Sequence, residues 1–343
     1  MPNNNNIAFA RNYTSVIDEV YQRASVSGCL NSGRRMIRAG HNAKEILIPK
    51  ISVTGLGDYT RNVGYKTGAI TYEFETKTFN YDRGIRLFAD VMDVEEAGVN
   101  DCFVEAGAEL QRTQVAPEAD AFTFAQIAGH SGVEVATDDF SQASALDVLA
   151  ELREVTSVMD EKQVTLGSRY LFITPTLKGV LDDFSYANPT RSNRVLERFS
   201  RIVEVPQVRF YTAIDLLSGD GDQFGYQRSE GSYVPTADTE VDASKTYYTR
   251  SGSEGSYTYT AVASPTKSGL ASYYELTGVG RAINFMVVEK SAVIKFDKHV
   301  ASRVFSPDEL ESLDSYMMKY RKYGIVELFD NKLDGVYVSA ATE

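Results

Sequence analysis

The sequence has few of the residues from which metal centres and disulfide frameworks are built. Its 343 residues include only two cysteines, Cys29 and Cys102, and three histidines, His41, His130 and His299. The histidines stand alone, without an HExxH pair or the cysteine–histidine spacing of a zinc site. Two cysteines are also too few for a secreted disulfide scaffold. We therefore expect no metal, no cofactor and synthesis in a reducing compartment.

Long apolar segments are missing as well. No run approaches the roughly 18 residues that a membrane-spanning helix needs. The first residues, MPNNNNIAFARNY, lack the basic start and apolar core of a secretory leader. We therefore expect no membrane partner.

Catalytic and ligand-binding motifs are equally scarce. The chain has no complete dinucleotide fingerprint, no Walker lysine motif and no nucleophile elbow. Asp220, Asp222 and Gly225 stand at the first, third and sixth positions of a calcium loop. Phe224 and Gly231 occupy positions where ligands should be, so the match fails. We expect a protein that is not an enzyme.

The net charge of −12 argues against a dedicated nucleic-acid binder, because an acidic surface repels phosphate. An acidic wall around DNA remains compatible with it. One basic cluster breaks the pattern, since Arg191, Arg194, Arg198 and Arg201 recur at spacings of three and four. This spacing predicts an arginine row on one face of a helix. A solvated or subunit-facing surface explains the row, and nucleic-acid contact is the alternative.

Apolar periodicity predicts a mixed α and β chain. An extended arm ends in a strand at Ile51, and a glycine-rich loop covers residues 52–68. From Ile70 apolar and polar side chains alternate, which predicts a hairpin strand exposed on one side. A helical stripe runs over 94–129 and should kink at Pro117.

A second helix is predicted to follow an N-cap at Ser141. Its predicted apolar face consists of Leu146, Leu149, Leu152 and Val155. A buried strand and another helical stretch follow it. At the other end of the chain, the segment GIVELFDNKLDGVYVSA predicts a terminal hairpin.

Composition changes sharply at Ser218. Residues 218–278 are rich in Gly, Ser, Thr and Tyr and contain the alternating run SYTYTAV, which predicts a small inserted β module. Its tyrosines could form a sugar-binding face, because their rings combine apolar area with a polar tip. Ordinary two-layer β packing explains the same tyrosines.

Five stretches carry a further signal: NYDRGIRLFADVMD at 80–93, VAPEADAFTFAQIAG at 115–129, LFITPTLKGVLDD at 171–183, VEVPQVRFYT at 203–212 and YRKYGIVELFDNKLDGVYV at 320–338. They resemble recurring sequence motifs of phage capsid proteins of the Hong Kong 97 type. Together these stretches are distributed over most of the chain outside residues 218–278.

The resemblance implies an α+β fold of the Hong Kong 97 type with five parts. They are an N-arm at 1–51, an E-loop hairpin at 52–81, a peripheral domain at 82–129 and 281–343 with a spine helix at 93–129, an axial domain at 130–217 and the inserted β-rich module at 218–278. An immunoglobulin-like domain is one option for the module.

The function that this resemblance implies is that of a major capsid protein of a tailed phage. Copies would assemble in the bacterial cytoplasm into pentamers and hexamers of an icosahedral virion shell around double-stranded DNA. Further expected partners are a portal, packaged DNA contacted without sequence preference, and a decoration protein or host-surface glycan at the module. Because the arm starts almost at Met1, we expect a separate scaffolding protein or a scaffolding segment already removed.

The expected subunit contacts are made by charged side chains. Loop residues are expected to contact the acidic spine face of a neighbour and to set register more than energy. The expected interface residues are Asp58, Arg61 and Lys66 in the loop, Arg83 in the next strand, Glu95, Glu105 and Glu109 on the spine, and Arg191, Arg194 and Arg198 in the arginine row.

Three alternatives stay open. An encapsulin-like cellular compartment shares the implied fold but encloses cargo enzymes. A soluble enzyme whose site residues converge only in three dimensions would leave no motif. A tail or adhesion protein is suggested by the tyrosine-rich module alone.

Overall fold

The computed structural model describes residues 25–32, 38–39, 45–59, 61–62, 64–92, 107–187, 193–253, 256–309 and 315–342. These residues form two compact units. The first unit takes those between 27 and 112 and between 293 and 329. The second takes those at 25 and 26, those between 113 and 292, and those from 330 onward.

The described strands are β1 (Arg38–Ala39), β2 (Glu45–Val53), β3 (Ile70–Thr78), β4 (Tyr81–Asp90), β5 (Val135–Thr137), β6 (Arg169–Ile173), β7 (Arg201–Glu204), β8 (Ile214–Leu216), β9 (Tyr226–Arg228), β10 (Glu230–Pro235), β11 (Tyr247–Ser253), β12 (Ser256–Ala261), β13 (Tyr273–Val279), β14 (Ile283–Glu289), β15 (Val293–Phe305), β16 (Ser315–Leu328) and β17 (Val336–Ala340). The described helices are α1 (Ala116–Ala128), α2 (Ala145–Glu161), α3 (Pro175–Ala187) and α4 (Asn193–Leu196). Short 3-10 turns lie at Ser27–Leu30, Leu166–Ser168, Gln207–Arg209, Asp220–Asp222, Lys267–Ser272, Lys290–Ala292, Pro307–Glu309 and Asp330–Gly335.

The first unit is built from two antiparallel sheets. One has the order β15-β16-β4, and the other has the order β1-β2-β3. In the second sheet β2 and β3 form the predicted hairpin, with a loop of 16 residues between Val53 and Ile70. The two strands and the long loop are therefore confirmed.

Pro117 disturbs the regular helix, as predicted. A proline has no N–H to donate, and its ring crowds the carbonyl four residues earlier, here that of Thr113. A π-helical turn at Gln111–Val115 lengthens the hydrogen-bonded ring at this point, and α1 begins directly after it. Phe124 of α1 is fully buried. Residues 93–106 of the predicted spine helix lie outside the described residues.

A five-stranded sheet with the order β5-β17-β14-β6-β7 forms the centre of the second unit. β6 and β7 run parallel, as do β5 and β17, and the other neighbours are antiparallel. The helices α2 and α3 pack on this sheet. Leu152 and Val155 of α2 and Leu181 of α3 share one buried core with Phe285 and Val287 of β14.

The predicted helix start at Ser141 is wrong. The N-cap is Ser144, whose backbone N–H and hydroxyl both donate to the Asp147 carboxylate, at 2.9 and 2.8 Å. This reciprocal capping box satisfies groups that the first helical turn leaves unpaired. The apolar face also differs from the prediction, because Leu146 is exposed. The fully buried apolar residues of the α2 face that packs on the sheet are Val148, Leu152, Val155 and Met159.

The predicted terminal hairpin is also wrong. β16 pairs with β15 and β4, whereas β17 pairs with β14 and β5. A 3-10 turn at Asp330–Gly335 separates the two strands. Residues 281–343, expected in one peripheral domain, are therefore divided between the two units.

The inserted module contains a curled four-stranded sheet with the order β10-β13-β11-β12. Tyr233 of β10 and Tyr259 of β12 stack in parallel planes with ring centroids 3.9 Å apart. In a flat sheet these outer strands would lie about 14 Å apart, three strand spacings. The sheet must therefore curl, and Tyr233, Tyr248, Tyr259 and Tyr274 pack together on its concave face. The β-rich prediction is confirmed, but these tyrosines pack on one curled sheet and not between two layers.

The convex face of this sheet has its own small core. Tyr247, Tyr273 and Leu270 are buried there, with Leu270 in the 3-10 turn at Lys267–Ser272. The Tyr247 hydroxyl donates to Asp238 over 2.7 Å. Packing and hydrogen bonding together account for the inward-facing tyrosines of this side.

Acid should destabilise the module through Asp238. The Tyr247 hydroxyl and the Lys245 ammonium, which donates over 2.9 Å, hold the pKa of this carboxyl below its usual 3.8. Because the folded-state pKa is lowered, the stabilisation is complete above about pH 4 and is lost as the pH falls through the lowered pKa. Near-UV circular dichroism of the tyrosines, followed from about pH 5 to pH 2, should show this loss. Asp238→Asn should remove that pH dependence, and an unchanged acid transition in this variant would contradict the assignment.

Candidate assembly surface

The base of the β2–β3 hairpin is fixed in the core of the first unit. Ile46 and Ile48 of β2 are almost fully buried against Ile294 of β15 and Ile325 of β16. Phe79, which follows β3 directly, joins the same cluster. The hairpin is therefore anchored at one end by ordinary hydrophobic packing.

The distal half of the hairpin carries an apolar face that the described residues leave open. The register pairs Val53 with Ile70 and Ile51 with Tyr72, and Phe74 lies two residues beyond Tyr72 on β3. Alternation along a strand places these residues on one face and the intervening polar ones on the other. The side chains of this face are 42–75% exposed: Ile51, Val53, Ile70, Tyr72 and Phe74. We call these five residues the apolar hairpin face.

The hairpin loop is closed by its own backbone and is rich in exposed aromatic surface. Thr54 and Ala69 exchange hydrogen bonds at its neck, including Ala69 N–H to the Thr54 hydroxyl at 2.9 Å. Tyr59 and Tyr65 lie with ring centroids 4.9 Å apart, and Leu56 is fully exposed. The apolar surface of the hairpin thus continues into the loop.

Asp58, Arg61 and Lys66 all lie in this loop and are exposed. Within the described part of the chain, none of the three forms an ion pair. The apolar hairpin face beside these charges was missed by the sequence reasoning, which expected the strand from Ile70 to be exposed on one side only, whereas residues 70–74 are all exposed. The alternation from Ile70 was the signal that could have found this face. It indicated which positions are apolar, but it did not indicate that their side chains would stay uncovered.

Comparison by sequence finds no matching protein-family model and no matching curated protein. Solved structures do match over most of the chain. The capsid of cyanophage P-SCSP1u matches with a TM-score of 0.50 and 14% identity, covering 89% of this chain and 86% of that chain. The capsid of the Myoviridae phage XM1 matches with a TM-score of 0.51 and 10% identity, covering 92% and 91%. The chain has the Hong Kong 97-type capsid fold.

The matching structures also include a virus-like particle. A virus-like particle from Pyrococcus furiosus matches with a TM-score of 0.51 and 7% identity, covering 96% of this chain and 99% of that chain.

The other charged residues expected at the interface differ in their surroundings. Arg83 is half-buried on β4, opposite the buried Lys322 of β16. Glu109 is exposed but forms a bidentate pair with Arg112 of its own chain at 2.8–2.9 Å. Glu95 and Glu105 lie outside the described residues.

The arginine row predicted on one helix face is wrong. α4 ends at Leu196, so Arg198 lies in a turn and Arg201 begins β7. Arg198 donates to Asp160 at 3.1 Å, while Arg194 is exposed on α4. Arg191 lies outside the described residues. The arginine spacing of three and four matched a helix, but α4 ends at Leu196. The chain then continues into β7, which pairs parallel with β6.

Metal and membrane signatures are also lacking where the chain is described. There, no group of three His, Cys, Asp or Glu side chains could hold a metal ion. None of the helices in that part is long and apolar enough to span a bilayer.

Proposed function

We propose that the chain is a major capsid protein of a tailed phage, forming pentamers and hexamers of an icosahedral shell around double-stranded DNA. The observation that carries this proposal is the apolar hairpin face on a capsid-type fold. Five large apolar side chains on one anchored hairpin leave a patch that monomers seldom expose, and such patches mark protein interfaces.

A neighbouring copy is the natural partner for this face. Each subunit carries the same anchored hairpin, so one contact type between copies can repeat around a ring. Individual contacts can stay weak enough to correct errors, while the closed shell gains stability from their number.

Reversing Arg61 tests the role of the loop charges. Arg61→Asp should slow assembly severalfold and weaken its dependence on ionic strength, because exposed interface charges act mainly on association rate and register. The melting temperature of the free subunit should not change, since Arg61 is exposed. Light scattering during assembly at two salt concentrations measures both effects, and shells that form at the same rate would contradict the assignment.

An encapsulin-like compartment is the second candidate, and the match to the Pyrococcus furiosus virus-like particle supports it. In that case the shell would enclose cargo proteins instead of a genome. Terminase, portal and protease genes beside this one would favour the phage, and a peroxidase or ferritin-like gene would favour the compartment.

The remaining partners follow from the proposed phage function. They are a scaffolding protein, a portal and packaged DNA, with a virion location after assembly in the bacterial cytoplasm. A decoration protein or glycan at the inserted module would be an addition to the shell. Within this proposal, the first unit contains the E-loop hairpin and the β15-β16-β4 sheet of the peripheral domain, and the second contains the axial domain with its insert together with α1, the described end of the expected spine helix.

Sedimentation of the purified chain tests the proposed function, both alone and with any neighbouring scaffold gene. Uniform pentamers and hexamers or closed shells are expected. A small monomer or dimer under both conditions would overturn the proposal.

A further inference from the structure

The two outer strands of the curled module sheet differ in how their free edges are protected. β10 begins with a charged residue, Glu230, ends with Pro235, and bends at Gly231, whose φ is +79°. β12 has the sequence SYTYTA, with no charge, no proline and no bulge. Natural sheets protect exposed edges with such devices, because unpaired strands recruit other strands. β12 is therefore the edge strand that lacks these protective features.

The backbone of β12 presents unused hydrogen-bonding groups along this edge. The carbonyls of Thr258 and Thr260 face β11, where they accept hydrogen bonds from the hydroxyls of Ser251 and Thr249. Successive residues of an antiparallel strand point their backbone groups to opposite sides. The N–H and C=O groups of residues 257, 259 and 261 thus point away from the sheet. No hydrogen bond to them occurs among the described residues.

Two contacts hold this edge in shape. The Tyr259 ring is stacked on Tyr233 across the concave face, and the Arg250 guanidinium lies 4.2 Å from the centre of the Tyr257 ring. All residues of β12 except Tyr259 are exposed. The edge is thus both accessible and already ordered, which lowers the entropy cost of adding a strand.

We propose that β12 is a strand-addition site that pairs antiparallel with β12 of a second copy of this chain. The inference rests on the proposed shell function, which brings many copies together. Antiparallel pairing of two identical strands is self-complementary and generates a two-fold axis. The absence of charge on β12 supports a second copy, because directly opposed like charges would destabilise a strand paired with itself.

Hydrogen exchange on the full chain tests the pairing. The amides of Tyr257, Tyr259 and Ala261 should exchange at least about tenfold more slowly in assembled shells than in the free subunit, because they gain partners. Equal exchange rates in the two states would overturn the inference while leaving the shell function intact. Failure to form any shell would overturn both.

Charge variants test whether β12 of a second copy is the strand that pairs with this edge. Thr258→Lys places a charge at the centre of the edge, so shells of this variant should lose the amide protection. Thr249→Lys is the matched control, because it adds the same exposed charge on the inner strand β11 and should keep the protection. Shells assembled from a mixture of Thr258→Lys and Thr258→Glu subunits should regain the amide protection. Protection that persists in Thr258→Lys shells would mean that something other than a second β12 covers the edge, and would overturn the proposal.

Discussion

Tyr72→Asp should abolish shell assembly while the subunit stays folded. Tyr72 lies in the middle of the apolar hairpin face, opposite Ile51 and in edge contact with Phe74. Burying an unpaired carboxylate in an interface costs several kcal/mol, enough to remove a contact that repeats in every subunit. The assembled fraction in sedimentation should fall at least about tenfold, since each 1.4 kcal/mol is a factor of ten.

Thr71→Asp provides the matched control for this substitution. It adds the same charge to the adjacent residue of β3, on the polar face of the hairpin beside Ser52. Both variants should melt at the temperature of the unchanged subunit, because both positions are exposed. Equal loss of assembly in the two variants would show that charge anywhere on the hairpin is harmful and that the apolar face has no special role.

Asp120→Ala should destabilise the second unit by about 3–5 kcal/mol, the usual effect of removing one partner from a buried ion pair. Asp120 is fully buried on α1 and lies 3.2 Å from the Arg209 guanidinium. Its carboxylate also accepts hydrogen bonds from the Ser25 hydroxyl at 2.6 Å and from the Val26 N–H at 3.0 Å. One side chain therefore holds Arg209 and ties the segment at Ser25 to α1.

Urea unfolding of the variant measures this loss, and Asp182→Ala is its control. Asp182 is an exposed carboxylate on α3 whose partner is Lys178 one helical turn away. Such surface pairs contribute about 0–1 kcal/mol. Asp120→Asn should fall between the two, because its amide retains one acceptor. If Asp120→Ala lost no more stability than Asp182→Ala, the buried network would not be a major support of the fold.

Local patterns in the sequence predicted the elements whose causes are local. Alternation from Ile70 predicted a strand, the glycine-rich stretch before it predicted a loop, and Pro117 predicted a disturbance of the helix. These features follow from side-chain period and backbone sterics. The resemblance to capsid proteins added the order of the elements, which the fold comparisons support.

Features that depend on distant partners could not be predicted in this way. β16 and β17 are neighbours in sequence, yet β16 pairs with β15 and β4 whereas β17 pairs with β14 and β5. The stacking of Tyr233 on Tyr259 depends on the curl of a whole sheet. Charge patterning pointed to Arg61 and Lys66 in the loop, but alternation cannot tell whether an apolar face will be covered by its own chain. That question is settled only by the packing of all other elements.

A cryo-electron microscopy reconstruction of assembled particles would show directly whether the apolar hairpin face is an assembly surface. We expect a closed shell of pentamers and hexamers in which each apolar hairpin face is covered by a neighbouring copy. A closed shell whose hairpins remain open to solvent would contradict the assembly surface. A chain that stays monomeric at every concentration, with or without its scaffold, would contradict the shell function itself.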